Sequence, residues 1–265
     1  MAWDRLGDIV VHHDQGGCRT APALVLVNSL GTDFRVWDPL LPHLGDRFRT
    51  IRYDKRGHGL TDATPGPYAI HELAADLARL LDHLVVRDAI VCGLSIGGMI
   101  AQALTQARPD LVGRLVLMDT AHRIGTAAMW NERMEAIRDG GIAGIADAIL
   151  TRWFSPAFHG NRADELAGWR NLLTRTPVEG YLGCCAAIRD ADLTAAARAI
   201  EVPTLCLVGD QDGSTPPDLV AELAALIPGS RCVTIPGAGH LPGVEQPAAV
   251  AAIMHSFLEE TGLGR

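Results

Sequence analysis

A single serine lies between glycines in the stretch Gly93-Leu-Ser-Ile-Gly97, and its type and position suit a nucleophile. The stretch matches the pattern G-x-S-x-G, in which a sharp strand-to-helix turn exposes the serine hydroxyl. An apolar run precedes Ser95 and a helical pattern follows it, as this turn requires. The alternative is that Ser95 is only a small residue in a tight turn, but the strand-turn-helix context favours the nucleophile.

A serine at neutral pH needs a base to remove its proton. Of the ten histidines, His240 alone lies in a stretch built to present it, Pro236-Gly-Ala-Gly-His240, at the end of a predicted strand. Such a base needs a carboxylate to fix its tautomer, and Asp210 and Asp212 both follow another predicted strand. We predict Asp212 as the partner because it lies further into its loop, whereas Asp210 is placed to cap the turn.

Attack by a serine on an ester also needs two N–H donors for the negative oxygen that forms. The Ile96 N–H would lie at the N-terminus of the helix after the serine, where the helix dipole favours negative charge. The second donor should come from the loop "NSLGTD" at residues 28–33, and we predict the Leu30 N–H. Loss of one such donor typically lowers the rate about 10²- to 10³-fold. The alternative is that this loop is simply a turn that contains glycine.

Short apolar runs precede all of these residues, and helical patterns separate most of the runs. Because several runs are apolar throughout, they suit strands that are covered on both faces of a mostly parallel, twisted sheet. The predicted strands are Asp8–His13, Ala23–Asn28, Phe48–Tyr53, Ala89–Gly93, Arg114–Asp119, Thr204–Gly209 and Arg231–Ile235. The predicted helices between them are His71–Leu84, Gly97–Gln106, Pro217–Ile227 and Ala248–Glu259. The sequence thus predicts an α/β fold with helices on both faces of the sheet.

The alternation stops between Asp119 and Glu201, where only helical patterns occur. The predicted helices of this part are Ala127–Arg138, Ile142–Phe154, Ala163–Thr174 and Val178–Ile188. A helical block inside a strand-helix alternation is typical of an inserted cap. We therefore predict a first core part at residues 1–120, a helical cap at residues 121–200 and a second core part at residues 201–265.

The net charge of −8 comes from 31 acidic and 23 basic residues without a run of like charges, which argues against nucleic-acid binding. The N-terminal residues do not form a cationic segment followed by an apolar one, and no uncharged run is long enough to span a bilayer. We therefore predict a soluble, cytoplasmic protein that does not bind membranes. The six cysteines lack metal-ligand spacing, so we expect reduced, buried thiols and no metal. The sequence leaves the oligomeric state open.

Over nearly its whole length the chain resembles the α/β-hydrolase family. The resemblance lies in the serine stretch, in the order of nucleophile, acid and base along the chain, and in "RYDKRGHGLTD" at residues 52–62. That last stretch looks like the family's Asp-x-x-Gly-x-Gly pattern, which shapes a loop near the site. Most members carry His-Gly in the oxyanion loop, whereas this chain carries Asn28-Ser29.

Several stretches resemble one subfamily, the 3-oxoadipate enol-lactonases of the β-ketoadipate pathway. They are "NSLGTD", "GLSIGG", the cap segment "AHRIGTAAMWNERMEAIR", "RWF" at residues 152–154 and "EGYLGCCAAIRDADL" at residues 179–193. The resemblance implies a small-molecule lactone or ester substrate with a free carboxylate, opened through an acyl-enzyme. It also implies that no metal or organic cofactor is needed.

A carboxylate-bearing substrate needs a cation near the nucleophile, and an arginine would supply two charge-assisted hydrogen bonds. Trp130 and Arg133 lie three residues apart in a predicted helix, so one helical face would present both, and they match the subfamily's Trp-x-x-Arg. Further predicted substrate contacts are Arg152, Trp153 and Ser29. For either arginine the alternative is a solvated helix surface.

Two other functions remain open at this point. The first is a different hydrolase with the same reactive residues: a general carboxylesterase, another lactonase or a perhydrolase. The second is a receptor or binding protein that keeps the hydrolase fold but turns over little. A carboxylate-specific effect of Arg133 would favour the lactonase, and a stoichiometric burst of product with little turnover would favour the receptor.

Overall fold

The computed structural model of the protein describes residues 1–263, so the last two residues of the predicted second core part lie outside the described residues. Within this range eight strands form one sheet in the order β1-β2-β4-β3-β5-β6-β7-β8. The strands are β1 (Ala2–Leu6), β2 (Ile9–Gly16), β3 (Ala23–Val27), β4 (Arg49–Tyr53), β5 (Ala89–Leu94), β6 (Val112–Met118), β7 (Thr204–Gly209) and β8 (Arg231–Ile235). The first two strands pair antiparallel with their neighbours, and the pairs from β4 to β8 are parallel.

All seven predicted strands are present, and only β1 is missing from the prediction. β5 and β7 are buried at every residue, because they lie inside the sheet with helices on both faces. β1 is instead an edge strand of five residues in which exposed and less exposed positions alternate. A short run with polar residues at a sheet edge carries too little apolar periodicity to be recognised.

Helices cover both faces of the sheet. The described part of the chain contains 3-10 turns at Phe34–Trp37, Gly45–Arg47 and Pro109–Leu111, and the helices α1 (Leu41–Leu44), α2 (Ile70–His83), α3 (Ile96–Ala107), α4 (Ala127–Trp153), α5 (Pro156–Asn161), α6 (Ala163–Thr174), α7 (Val178–Asp190), α8 (Thr194–Arg198), α9 (Pro217–Leu226), α10 (Pro242–Glu245) and α11 (Pro247–Glu260). In α2, Leu73, Leu77 and Leu80 recur at helical spacing and are buried, so this helix turns one apolar stripe towards the core. The fold is that of an α/β sheet protein, as predicted.

The helices α4 to α8 lie between β6 and β7, where the sequence predicts the cap. The predicted helices Ala127–Arg138 and Ile142–Phe154 are joined in α4, which has a non-helical kink at Gly141 with φ of 68°. α5 and α8 were not predicted, because each is too short to show a periodic apolar pattern. The division of the chain into two core parts and a cap stays a prediction.

The expectation of buried cysteines is wrong for two of the six. All six are free thiols, but Cys18 and Cys232 are exposed. Cys18 lies in the turn between β2 and β3, and Cys232 lies on β8 at the open edge of the sheet, where few neighbours cover it.

No helix within the described range is long and apolar enough to cross a membrane.

Candidate active site

Ser95 lies between the end of β5 and the start of α3. Its backbone has a φ of 58° and a ψ of −121°, and such a conformation costs a non-glycine residue about 1–3 kcal/mol. The turn is tight: a Cβ on Gly93 would lie 2.3 Å from the Gly97 carbonyl oxygen, and a Cβ on Gly97 would lie 2.2 Å from the Val27 carbonyl oxygen. The flanking glycines are therefore required by the same turn that presents the serine.

The predicted base and acid are neighbours. His240 Nδ1 lies 2.9 Å from Asp212 Oδ2, and both residues are buried. The Asp212 carboxylate also accepts hydrogen bonds from the Ser214 N–H at 2.7 Å, the Thr215 N–H at 3.1 Å and the Thr215 hydroxyl at 2.6 Å. Because this fixed carboxylate faces Nδ1, it favours the tautomer in which Nδ1 carries the proton and Nε2 is free to accept one.

The loops that carry this pair are anchored separately. The His240 N–H donates to the Trp153 carbonyl at 2.8 Å, so the last turn of α4 holds the histidine loop from the cap side. Asp210 is exposed, and its Oδ1 accepts hydrogen bonds from the Gly237 N–H at 2.8 Å and the Ala238 N–H at 3.3 Å. Asp210 therefore ties two loops together and does not contact the His240 ring.

A second buried carboxyl group, which was not among the predicted site residues, lies beside this pair. Asp119 directly follows β6, and its Oδ1 accepts a hydrogen bond from the Gly209 N–H at 2.9 Å. Burial and the nearby Asp212 carboxylate raise the pKa of Asp119 well above its ordinary value. Burial also acts to raise the pKa of Asp212, but His240 and the Thr215 hydroxyl outweigh it and lower that pKa. Because two nearby carboxylates repel each other, these surroundings favour the protonated form of Asp119 and the ionised form of Asp212.

Three buried side chains lie close enough together to be considered as metal ligands. One possible ligand atom of each lies within 4.8 Å of the others, and no other such group occurs among residues 1–263; the three are Asp119, Asp212 and His240. The Asp212 oxygen is already hydrogen-bonded to the His240 ring at 2.9 Å, and this arrangement suits orientation of the imidazole better than coordination of an ion. The sequence did carry a signal for Asp119: it ends the predicted strand Arg114–Asp119, at the same edge of the sheet as the other reactive residues.

The two predicted oxyanion donors adjoin Ser95. Ile96 is the first residue of α3, and Leu30 lines the same cavity as the serine. Within the part of the chain that the structure describes, neither N–H has a hydrogen-bond partner. The next N–H along the loop, that of Gly31, is engaged by His58 Nε2 at 2.9 Å. The Leu30 and Ile96 N–H groups are thus available to a ligand.

A cavity of about 250 Å³ joins these groups, and Ser95 and His240 form part of its wall. The structure brings all five predicted substrate contacts to this cavity: Ser29, Trp130, Arg133, Arg152 and Trp153. The lining combines apolar side chains with two guanidinium groups, and its size suits a small organic molecule.

Arg133 is held against aromatic side chains. Its guanidinium lies 4.6 Å from the centroid of the Trp130 ring, and the indole N–H of Trp130 donates to the Ile124 carbonyl at 2.6 Å. Burial raises the pKa of Tyr181, while the neighbouring Arg133 acts to lower it. Among residues 1–263, no carboxylate lies within 4 Å of the guanidinium of Arg133 or Arg152. Both positive charges therefore remain available for an anionic ligand.

A larger groove, of about 1160 Å³, lies elsewhere, between the 3-10 turn at Phe34–Trp37 and α6. Arg35 and Trp169 line it, but Ser95 and His240 do not. Its size alone therefore does not make it a reaction site.

Residues 24–253 match the model of the alpha/beta hydrolase family. The chain is 34% identical over 257 residues to 3-oxoadipate enol-lactonase 2 of Acinetobacter baylyi, across 94% of this chain and 95% of that protein. It is similar to the crystal structure of the enol-lactonase from Burkholderia xenovorans, with a TM-score of 0.94 and 37% identity across 97% of this chain and 100% of that one. A thermophilic esterase from Thermogutta terrifontis, solved with malate bound, gives a TM-score of 0.89 and 30% identity across 96% of this chain and 94% of that one. The chain belongs to the α/β-hydrolase family.

Proposed function

We propose that the protein hydrolyses the cyclic enol ester of 3-oxoadipate enol-lactone to 3-oxoadipate through an acyl-enzyme on Ser95. One observation carries the proposal: the cavity whose wall contains Ser95 and His240 also contains the Arg133 guanidinium, which has no carboxylate partner among the described residues. The similarity of the whole chain to two proteins named as enol-lactonases supports the choice of a lactone.

In the first step, His240 takes the proton of Ser95 as the hydroxyl oxygen attacks the lactone carbonyl carbon. Asp212, 2.9 Å from His240 Nδ1, keeps Nε2 as the proton acceptor and stabilises the imidazolium that forms. The Leu30 and Ile96 N–H groups bind the negative oxygen of the tetrahedral intermediate.

Collapse of the intermediate breaks the ester C–O bond, and His240 returns the proton to the departing enol oxygen. Because the ester is part of a ring, this oxygen stays attached to the acyl group on Ser95. His240 then takes a proton from water, whose oxygen attacks the acyl carbon. Collapse of this second intermediate breaks the bond to Ser95 Oγ, and His240 returns the proton to that oxygen as the carboxylic acid is released. The enol tautomerises to the ketone, so the balance is one lactone and one water consumed for each 3-oxoadipate.

The free carboxylate of the substrate lies against Arg133 in this proposal. The Trp130 ring under the guanidinium limits its motion, so less side-chain freedom is lost when the anion binds. The esterase solved with malate, a dicarboxylate, supports the presence of an anion-binding region in this fold. Arg152, in the same cavity wall, is the second candidate cation.

The test compares two substrates in an Arg133→Ala variant. For 3-oxoadipate enol-lactone, kcat/KM should fall roughly 10- to 100-fold, because hydrogen bonds to a charged group contribute about 1.5–3 kcal/mol. For neutral p-nitrophenyl acetate, kcat/KM should change less than about threefold, since no carboxylate is bound.

Arg138→Ala is the matched control, because Arg138 is an exposed arginine of the same helix α4 and does not line the cavity. It should leave both substrates unaffected. If Arg133→Ala weakened the hydrolysis of both substrates equally, the anion-binding role would be wrong. Arg152→Ala, assayed in parallel, decides between the two arginines.

A general carboxylesterase is the second candidate function, and the 30% identity to an esterase favours it. A higher kcat/KM for simple esters or homoserine lactones than for the enol-lactone would select it. A pre-steady-state burst equal to the enzyme concentration, followed by almost no turnover, would instead indicate a binding protein.

A further inference from the structure

Lys55 is the only lysine in the sequence, and it is buried in the loop after β4 with 1% of its surface exposed. Its Nζ donates a hydrogen bond to the Ser29 carbonyl at 2.5 Å. Among residues 1–263, no carboxylate oxygen lies within 4 Å of this ammonium group. Because a buried charge without a counter-ion destabilises the fold, this placement calls for a functional reason.

The carbonyl that Lys55 contacts belongs to the same peptide group as the Leu30 N–H, since Ser29 supplies its C=O and Leu30 its N–H. A donor on the carbonyl oxygen draws electron density from the amide, which makes the N–H a stronger donor. The Thr32 hydroxyl also donates to the Ser29 carbonyl, at 3.0 Å. The Thr32 N–H donates to the same oxygen at 3.3 Å. These three donors fix the plane of the peptide and leave its N–H directed away from them, where it has no partner among the described residues.

The neighbouring peptide is held by the same loop. The Gly31 N–H donates to His58 Nε2 at 2.9 Å, so that nitrogen is unprotonated. Burial and the Lys55 charge lower the pKa of His58 well below its ordinary value, which keeps the ring neutral. His58 thus engages the Gly31 N–H, while Lys55 orients the peptide whose N–H remains available.

We propose that Lys55 is a positioning residue of the oxyanion hole: its ammonium group, hydrogen-bonded to the Ser29 carbonyl, orients and polarises the peptide whose Leu30 N–H binds the oxyanion. The proposal rests on the proposed function only for the attack by Ser95 and the oxyanion that follows, and not on the identity of the lactone.

A pH dependence follows from the surroundings of Lys55. Burial lowers its pKa to about 8, although Cys184, Asp54 and Asp33 act to raise it. Burial raises the pKa of Cys184 to about 12, and His58 is neutral, so neither changes charge near pH 8. Lys55 therefore loses its charge as the pH rises through about 8, and kcat should fall with it.

Folding stability should change in the opposite direction. Because the pKa of Lys55 is lowered on folding, the unfolded chain binds more protons than the folded one between pH 8 and the ordinary lysine pKa of about 10.4. The free-energy cost of burying the charged Lys55 therefore becomes smaller as the pH rises through this window, so the free energy of unfolding increases. If Lys55 served stability alone, kcat would not fall over the same pH range in which its contribution to the free energy of unfolding increases.

The experiment uses Lys55→Met, which keeps the length of the side chain without the charge, and p-nitrophenyl acetate as substrate. Relative to the wild type at pH 7, kcat should fall about 10- to 100-fold with little change in KM, which is less than the roughly 10²- to 10³-fold loss when an oxyanion donor is removed outright. The inhibition constant of phenylboronic acid, which forms a tetrahedral adduct with serine, should rise by a similar factor. The alkaline fall in kcat near pH 8 should be absent.

Arg52→Met is the control for loss of a buried cation, because Arg52 pairs with Asp14 at 2.7 Å and does not hydrogen-bond to the oxyanion loop. It should keep the wild-type kcat and pH profile. Lys55→Arg, which stays charged at all accessible pH values, should retain activity and lose the alkaline fall.

A folded Lys55→Met protein with wild-type kcat and boronate affinity would overturn the proposal. If that variant does not fold, a flat wild-type kcat from pH 7 to pH 10 overturns it equally. Failure of the proposed function is separately visible: it would appear as retained activity in Ser95→Ala or as an equal effect of Arg133→Ala on both substrates.

Discussion

At the scale of single residues, the surroundings of Ser95, Asp119 and Asp212 determine what each contributes to this site. Ser95 occupies a positive φ that its tight turn enforces, and the surroundings lower the pKa of Asp212 but raise that of Asp119. The two carboxyl groups differ in their surroundings: four hydrogen bonds reach Asp212, whereas Asp119 Oδ2 has no hydrogen-bond partner among the described residues. The environment therefore assigns one of them to the histidine and keeps the other neutral.

The role of the nucleophile is tested by Ser95→Ala. Turnover of the lactone and of p-nitrophenyl acetate should fall by about 10⁶, as in comparable triads, because the attacking oxygen is removed. Far-UV circular dichroism and the thermal midpoint should match the wild type within a few degrees. A folded variant that keeps most of its activity would remove Ser95 from the mechanism.

The protonation of Asp119 is tested by its stability effect. Since burial raises the pKa of Asp119 above its unfolded value, the folded state binds the extra proton, and its contribution to stability falls as the pH rises above about 4. Asp119→Asn removes this penalty. Its free energy of unfolding in urea should therefore exceed that of the wild type by more at pH 7 than at pH 4.

Asp88→Asn is the matched control for that experiment. Asp88 also has a positive φ, of 52°, but it is exposed. Asparagine relieves the backbone equally in both variants, so Asp88→Asn should show no such pH-dependent gain. An equal gain at pH 4 and pH 7 in Asp119→Asn would mean that the wild-type carboxyl is not held protonated by the fold.

At the scale of elements, most residues of the site lie directly after strands of the sheet. Ser95, Asp119 and the Asp212 loop follow β5, β6 and β7, and parallel pairing brings these ends to one edge of the sheet. The end of α4 also reaches this edge, because the Trp153 carbonyl accepts a hydrogen bond from the His240 N–H. The kink at Gly141 separates that anchored half from the half that carries the aromatic-arginine pair.

Two glycine-to-alanine substitutions test which elements tolerate a side chain. Gly97→Ala should lower the free energy of unfolding by about 1–3 kcal/mol and reduce activity, because its Cβ would lie 2.2 Å from a backbone oxygen. Gly144→Ala, in α4, meets nothing within 4 Å and should raise stability by about 0.5–1 kcal/mol without affecting activity. Urea unfolding with parallel activity assays measures both. Equal effects in the two variants would mean that close packing does not explain the turn glycine.

The strands inside the sheet were predictable because burial on both faces makes them apolar throughout, as in β5 and β7. β1 was not, since its pairing with β2 comes from edge hydrogen bonds that leave little trace in side-chain pattern. The position of Lys55 beside the oxyanion loop was not predictable from the sequence. Its contact with Ser29 depends on the adjacency of β3 and β4 in the sheet, which spacing along the chain does not reveal.

At the scale of the whole molecule, the helices α4 to α8 share one hydrophobic core with the sheet. Buried residues of α4 and α7 belong to the same cluster as those of the strands. The backbones of Gly57 and Gly180 meet so closely that a Cβ on Gly180 would lie 2.1 Å from the Gly57 oxygen. The Ser155 hydroxyl donates to Glu245 at 2.5 Å. The helices α4 to α8 and their connections are thus joined to the rest of the described chain at several separate points.

We therefore expect the cap and the sheet to unfold together in urea. Three of the five tryptophans lie in cap helices, so their fluorescence reports mainly on the cap, whereas far-UV circular dichroism reports on the whole chain. The midpoints of fluorescence, circular dichroism and activity should coincide, because the shared core makes the transition cooperative. A fluorescence transition at lower urea than the loss of circular dichroism would show that the cap unfolds alone.

The single buried lysine also makes the folded chain unreactive towards amine-directed reagents at its side chains. An acylating reagent can reach the Lys55 amine only when the loop that it supports opens. The labelling rate of this one amine, read by mass spectrometry, therefore measures how often the loop around Lys55 opens, and a bound boronate should slow that rate. Lys55 thus reports the rate of local opening, and no probe has to be introduced for this measurement.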